Sequence, residues 1–229
     1  MIRYISVIMV LVVGLGMLHY YGFIWYNSIF AIGYDVKGLD VSHHQGAIDW
    51  EAVKEEGKFD FVYIKATEGK DFTDNRFANN WMEARKQRFR TGAYHFFSMQ
   101  SNGKDQAEHF KRIVPVVSDS LPPVIDVEIA LYHDKKKVLD SLTTMIKELK
   151  KTYQKEPILY VTYDTYHTYI KDSMAGYQIW IRDVFKYPSI DKEKWMMWQY
   201  HNRGHVNGIE TFVDINVFKG NHLDLIKLK

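Results

Sequence analysis

Two acids stand two positions apart inside the apolar run L-P-P-V-I-D-V-E-I-A at residues 121–130: Asp126 and Glu128. The run is β-branched and reads as a buried strand, on which residues i and i+2 share one face. Both carboxylates therefore point the same way. Like charges held so near each other disfavour joint ionisation, and a buried carboxylate costs free energy unless it is paired. Two more acids fall late in strand-like runs: Asp40 in G-L-D-V-S and Asp214 in F-V-D-I-N-V-F. Singly, an acid at a strand end is more often a cap or a turn former; the four together point to chemistry. Close carboxylates suit cleavage of a glycosidic bond. One must be protonated near neutral pH to donate to the leaving oxygen, and another ionised to stabilise positive charge at the sugar carbon. A neighbouring anion raises the donor's pKa, which makes Glu128 the candidate donor and Asp126 its neighbour.

The elements that must position these acids alternate along the chain. Strand-like runs are expected at 38–42, 59–66, 91–97, 123–128, 157–163, 177–182, 196–200 and 212–218. Helix-like stretches separate the first five. The clearest is 134–153, where Val138, Leu142, Met145, Ile146, Leu149 and Tyr153 recur at helical spacing. Others begin near Asp49, Asp74, Asp105 and Asp164, each acceptable as an N-cap or first-turn residue. After the sixth strand the helices fade, and 201–210 reads as a Gly/Asn-rich loop. Five βα units followed by three strands predict an α/β fold, an irregular TIM-like barrel. Active sites of such barrels gather at the C-terminal strand ends, and the eighth strand lies beside the first. Asp40, Asp126, Glu128 and Asp214 are thereby expected at one mouth.

Composition narrows the rest. Lys+Arg is 30 against 28 Asp+Glu, a net charge of +2 that gives no reason to expect nucleic acid. The absence of cysteine excludes disulfides, thiol nucleophiles and thiolate metal sites. At the N-terminus, Arg3 precedes an uncharged apolar stretch from Ile5 to Leu18, followed by H-Y-Y-G-F-I-W-Y. Residues 1–25 are expected to be a signal anchor or a signal peptide, with membrane attachment through 5–25 and an interfacial aromatic belt at Tyr20, Tyr21, Trp25 and Tyr26. Either way the domain is exported: membrane-anchored facing the periplasm or cell exterior, or secreted if the segment is cleaved. Residues 26–36 read as a linker and 37–229 as the barrel.

Five motifs run in order: K-G-L-D-V-S-H-H-Q-G (37–46), Y-I-K-A-T-E-G (63–69), G-A-Y-H-F-F (92–97), P-V-I-D-V-E (123–128), and W-Q-Y (198–200) with V-D-I-N-V-F (213–218). Together they resemble the family 25 glycoside hydrolases, the Chalaropsis-type lysozymes, over about 37–218. The resemblance implies the same irregular barrel and N-acetylmuramidase activity: cleavage of the β-1,4 bond from N-acetylmuramic acid to N-acetylglucosamine in the glycan strands of peptidoglycan. By position it makes Glu128 the general acid. Asp126 becomes the partner that orients the substrate's acetamido group, and Asp40 and Asp214 flanking acids. The proximity of Asp126 to Glu128 favours substrate-assisted retention, since an inverting pair stands roughly 6.5 to 9.5 Å apart. No metal or other cofactor is implied, and a monomer suffices.

Further substrate-binding candidates are Tyr94, Phe96, Tyr160, Tyr163, Trp180 and Gln199, for which core packing is the competing role. Lys65 and Glu68 fit a structural ion pair as well as a sugar contact. Arg182, in W-I-R-D-V-F, stands where the family commonly has a small residue. Three alternatives compete. A chitinase or endo-acetylglucosaminidase would carry an Asp where Val124 stands. A metal-dependent deacetylase would have to use His201 and His205, or His43 and His44 beside Asp40. A catalytically silent glycan-binding protein is the third.

Overall fold

The computed structural model describes residues 2–228, with side chains from Tyr4 onward. Helices α1 (Ile2–Tyr20) and α2 (Ser28–Ala31) precede strand β1 (Val36–Val41). The chain continues through α3 (Trp50–Glu55), β2 (Phe61–Glu68), β3 (Phe72–Thr73), α4 (Phe77–Lys86), β4 (Arg90–Phe96) and α5 (Gly103–Ile113). Then come β5 (Val124–Asp126), α6 (Lys135–Tyr153), β6 (Ile158–Val161) and the short α7 (Tyr163–Thr165), which runs into a π-helical turn at Tyr166–Ile170. The last elements are β7 (Ile179–Arg182), β8 (Trp195–Val206), β9 (Ile209–Phe218) and α8 (His222–Ile226).

The strands expected from the sequence are the staves of a closed barrel, ordered β1-β2-β4-β5-β6-β7-β8-β9 with β9 returning to β1. Neighbours run parallel except where β9 pairs, antiparallel to both β8 and β1. The two-residue β3, not expected from sequence, hydrogen-bonds to the end of β2.

Period-two alternation sorts the side chains into two layers. Phe61, Tyr63, Val124, Ile158, Tyr160, Trp180, Met197 and Phe218 fill the barrel interior. Their neighbours Val62, Ile64, Ile125, Leu159 and Ile181 face outward into a second apolar layer. The buried stripe of α6 joins that outer layer at the positions its periodicity marks. Gly38 and Gly92 make the interior aromatics possible. A Cβ on Gly38 would lie 2.4 Å from the Phe61 ring, and one on Gly92 2.2 Å from the Tyr63 ring. The N-caps are Asp49 for α3, Asn102 for α5 and Asp134 for α6. Asp105 sits in the first turn of α5.

The final quarter departs from expectation. Residues 201–210 do not form a loop: β8 continues to Val206 and turns directly into β9, making a long hairpin. The N-terminal segment packs on it. The indole of Trp25 donates to Tyr200 O at 2.8 Å and its ring stacks on His201 at 4.5 Å. Phe23 stacks on His205. Asn27 is fully buried and donates to the carbonyls of Asp183 and Tyr200. The stretch 26–36 thus carries buried contacts and the short α2.

The apolar side chains from Ile5 to Leu18 on α1 are exposed. The helix ends at Tyr20, so the apolar stretch counted from 5 to 25 is not one helix. Among the described residues no helix is long and apolar enough to cross a membrane. Trp25 belongs to the protein core rather than to an interfacial belt. Met1 and the side chain of Arg3, part of the expected N-terminal signal, lie outside the described residues.

Candidate active site

Each reactive group is placed by its register on the barrel. Asp40 and Asp214 face each other across the β1–β9 pair, directly in register. Asp126 ends β5, and Glu128 follows just past the strand. The extended pairing persists that far, because Val127 N still donates to Tyr160 O at 2.9 Å. Asp126 and Glu128 therefore keep their common face. All four acids line one cavity of about 180 Å³, together with Lys65, Tyr94, Phe96, Tyr160 and Trp180.

Ser42, His44 and Val124 also line it; from sequence His44 enters only as a metal-ligand alternative, Val124 only as the position where a chitinase would carry an Asp, and Ser42 not at all. His44 is held by a tight turn at His43–Gln45 that Ser42 caps, its side chain accepting from His44 N. The sequence signal for this turn was S-H-H-Q directly after Asp40. His43 is tied away from the cavity by Asp74, its Nδ1 lying 2.7 Å from Oδ2.

Three of the expected sugar-contacting residues lie elsewhere. Tyr163 accepts a hydrogen bond from Ser189 N and does not line the cavity. Glu68 is half exposed and pairs with Lys65 at 2.8 Å, so Lys65 belongs to an ion pair and to the cavity wall at once. Gln199 is buried behind the wall, where its Oε1 accepts from the Tyr160 hydroxyl.

Sequence reasoning also passed over Asn216. It is fully buried, donates through Nδ2 to Asp40 Oδ2 at 2.7 Å, and accepts from Trp180 Nε1 at 3.0 Å. It sits two residues after Asp214 on the same strand, so the rule that paired Asp126 with Glu128 also puts it on the site's face.

Burial dominates the electrostatics. It pushes the Asp40 carboxyl well above the ordinary range, with Asp214 adding to the effect and the Asn216 hydrogen bond opposing it. Asp126 rises through burial and then through the charges of Glu128 and Asp40, against Lys65. Asp214 is pushed up to about 6 by burial, against a hydrogen bond from Gln199 and the charge of Arg182. Glu128 is raised by burial, with Arg182 opposing. Desolvation, and not the neighbouring anion expected from sequence, is the main cause of the donor's raised pKa. Burial thus shifts all four acids toward their protonated forms, the direction a proton donor requires.

Of the histidines weighed as metal ligands, His44 lines the cavity, His43 is tied to Asp74, and the other two are engaged elsewhere. His201 and His205 lie on β8, stacked on Trp25 and Phe23. Among the described residues no group of three or more His, Cys, Asp or Glu side chains is arranged to hold a metal ion.

Residues 39–209 match the profile of Glycosyl hydrolases family 25. Asp214 and Asn216 lie beyond that match, and the barrel's closure brings them to the site. YegX of Escherichia coli (strain K12), described as uncharacterized, is 34% identical over 89% of this chain and 78% of its own length. Lysozyme M1 of Streptomyces globisporus is 31% identical over 84% of this chain and 71% of its own. A solved family 25 glycosyl hydrolase from Bacillus anthracis superposes with a TM-score of 0.80 at 45% identity, covering 85% of this chain and 94% of that one.

Proposed function

Because this chain belongs to glycosyl hydrolases family 25 and is a glycoside hydrolase, we propose that its substrate is peptidoglycan and that it breaks the β-1,4 bond from N-acetylmuramic acid to N-acetylglucosamine. The observation that carries this reading is the convergence of Asp40, Asp126, Glu128 and Asp214 on one small cavity. Glu128, raised by burial, gives its proton to the glycosidic oxygen as the bond breaks. The acetamido oxygen of the same sugar attacks the anomeric carbon and forms a cyclic oxazolinium ion. Asp126 accepts from the acetamido N–H and stabilises the positive charge. Water then opens the ring, Glu128 takes its proton, and the configuration is retained. Asp40 and Asp214 hold the charge balance of the site. Tyr94, Phe96, Tyr160 and Trp180 offer ring surface to sugars. One chain supplies all of these groups, which supports action as a monomer.

The test is a digest of purified peptidoglycan by the full chain, read by mass spectrometry after borohydride reduction. Reduced muramic acid at new chain ends is expected. Reduced glucosamine, or no product, overturns the reading.

The exposed apolar surface of α1 supports attachment to a lipid surface outside the cytoplasm, which would keep the barrel near the envelope. Fractionation checks this: the full chain should sediment with membranes. A fully soluble full chain sinks the attachment.

A further inference from the structure

Two buried amides stand behind the flanking acids, each tied to an aromatic donor. Trp180 Nε1 donates to Asn216 Oδ1 at 3.0 Å, and Asn216 Nδ2 donates to Asp40 Oδ2 at 2.7 Å. In parallel, the Tyr160 hydroxyl donates to Gln199 Oε1, and the Gln199 side chain acts on the Asp214 carboxyl, lowering its pKa. The two arrangements touch. Gln199 and Asn216 are register partners across β8 and β9, and the rings of Tyr160 and Trp180 pack edge to face at 5.2 Å. Asn216, Gln199 and Trp180 are each at most 2% exposed, so water does not substitute for any of these partners.

The chemistry of the donors gives the arrangement a direction. An indole N–H can only donate, and a primary amide has one accepting and one donating end. With Trp180 bound to its oxygen, Asn216 must turn its NH2 toward Asp40. A flipped amide would set a carbonyl against a carboxylate and an NH2 against an N–H, losing two buried hydrogen bonds at once. Tyrosine can donate or accept, so the lock on Gln199 is the softer of the two.

We propose that Trp180 with Asn216, and Tyr160 with Gln199, are positioning pairs that aim amide donors at Asp40 and Asp214, rather than residues that read the sugar through their polar atoms. The functional consequence rests on the glycosidase reading above; the lock itself does not. A donor aimed at a carboxylate favours its charged form. The pairs thereby oppose the burial and mutual repulsion that drive Asp40 and Asp214 toward protonation. They keep enough negative charge at the mouth for the positive sugar carbon that develops during cleavage.

The test uses the full chain and two readouts. In the first, carbon-13 NMR follows the Asp40 carboxyl through a pH titration in wild type and in Trp180→Phe, which loses the N–H and keeps an aromatic ring. The Asp40 midpoint should rise by roughly half a pH unit or more, as loss of a hydrogen bond to the charged form requires. In the second, kcat and KM are measured against pH on solubilised glycan strands. Trp180→Phe should lower kcat about tenfold, with KM within about threefold, and move the acidic limb upward. Tyr160→Phe should act in the same direction on Asp214 but less strongly, and it serves alone if Trp180→Phe does not fold. An unchanged carboxyl midpoint overturns the lock. A raised KM with unchanged kcat and pH limbs assigns these side chains to sugar binding instead and also overturns it. If wild type cleaves no glycan, the muramidase reading fails, and the NMR titration still decides the lock.

Discussion

From β1 to β6 the barrel wall is backed by helices; from β7 to β9 it is backed by the chain's own N-terminal segment. The helical arc contributes Asp126 and Glu128 on a strand whose other residues are apolar on both faces. The other arc contributes Asp214, Arg182 and the buried amides Gln199 and Asn216. On its outside, Trp25, Tyr34 and Tyr187 pack around Trp198 and Tyr200 of β8. One arc thus carries the acid pair proposed to meet the scissile bond. Charge around that pair is set from both arcs, by Asp40 and Lys65 on β1 and β2 and by Asp214 and Arg182 on β9 and β7. Parallel strands under helices need little polar chemistry of their own, whereas an antiparallel hairpin without helices can bring amide side chains to the site.

That division can be broken in order of expected effect. Glu128→Gln removes the proposed proton donor of the helical arc. It should lower kcat on peptidoglycan by about 10³-fold, within the range for loss of general acid catalysis, with thermal stability little changed. Steady-state assays that find full activity in this variant would reject the assignment.

Trp25→Ala strikes the outer support of the hairpin arc. Removing a buried indole that hydrogen-bonds Tyr200 and stacks on His201 should cost about 3 kcal/mol, as large-to-small core changes do. Urea denaturation measures this, and activity per folded molecule should survive. A loss of kcat without a loss of stability would show that the support reaches the chemistry.

Asp214→Asn tests the cost of assembling charge in the hairpin arc. Its pKa rises from 3.8 to about 6 on folding. The folded state therefore binds the proton more tightly, and the stability this contributes is full below pH 4 and lost as pH rises through 6. The Asn variant escapes that loss and should be more stable at pH 7 by about 1–3 kcal/mol, while losing activity. Equal stability of the two proteins across pH 4 to 7 would contradict the raised pKa.

The smallest effect is expected from Arg182→Gln. Its charge lowers the pKa values of Glu128, Asp214 and Asp40. Without it all three rise further, so both limbs of the pH–activity profile should move upward, by roughly half a unit. An unmoved profile would confine Arg182 to the shape of the cleft.

Where sequence reading failed, it failed mostly in the hairpin arc. His201–Val206, rich in polar residues, carries no alternating apolar signal and reads as loop. It is strand because β9, next in the chain, pairs with it and because Phe23 and Trp25, more than a hundred residues away in the chain, stack on it. Strand propensity yields readily to such partners. Asn216 was missed for a different reason. Its spacing from Asp214 was visible, but its role depends on Trp180, which arrives from another strand.

The order of amino acids by itself determined the eight staves, the buried stripe of α6 and the common face of Asp126 and Glu128. Each of these follows from a period of two or 3.6 residues within one segment. Only the closed tertiary structure decided that Asp40 faces Asp214, that Trp180 orients Asn216, and that residues 23–27 belong to the barrel wall. Register across β1 and β9, and the coverage of β8, are set by which distant segments pair, and no local periodicity encodes that pairing.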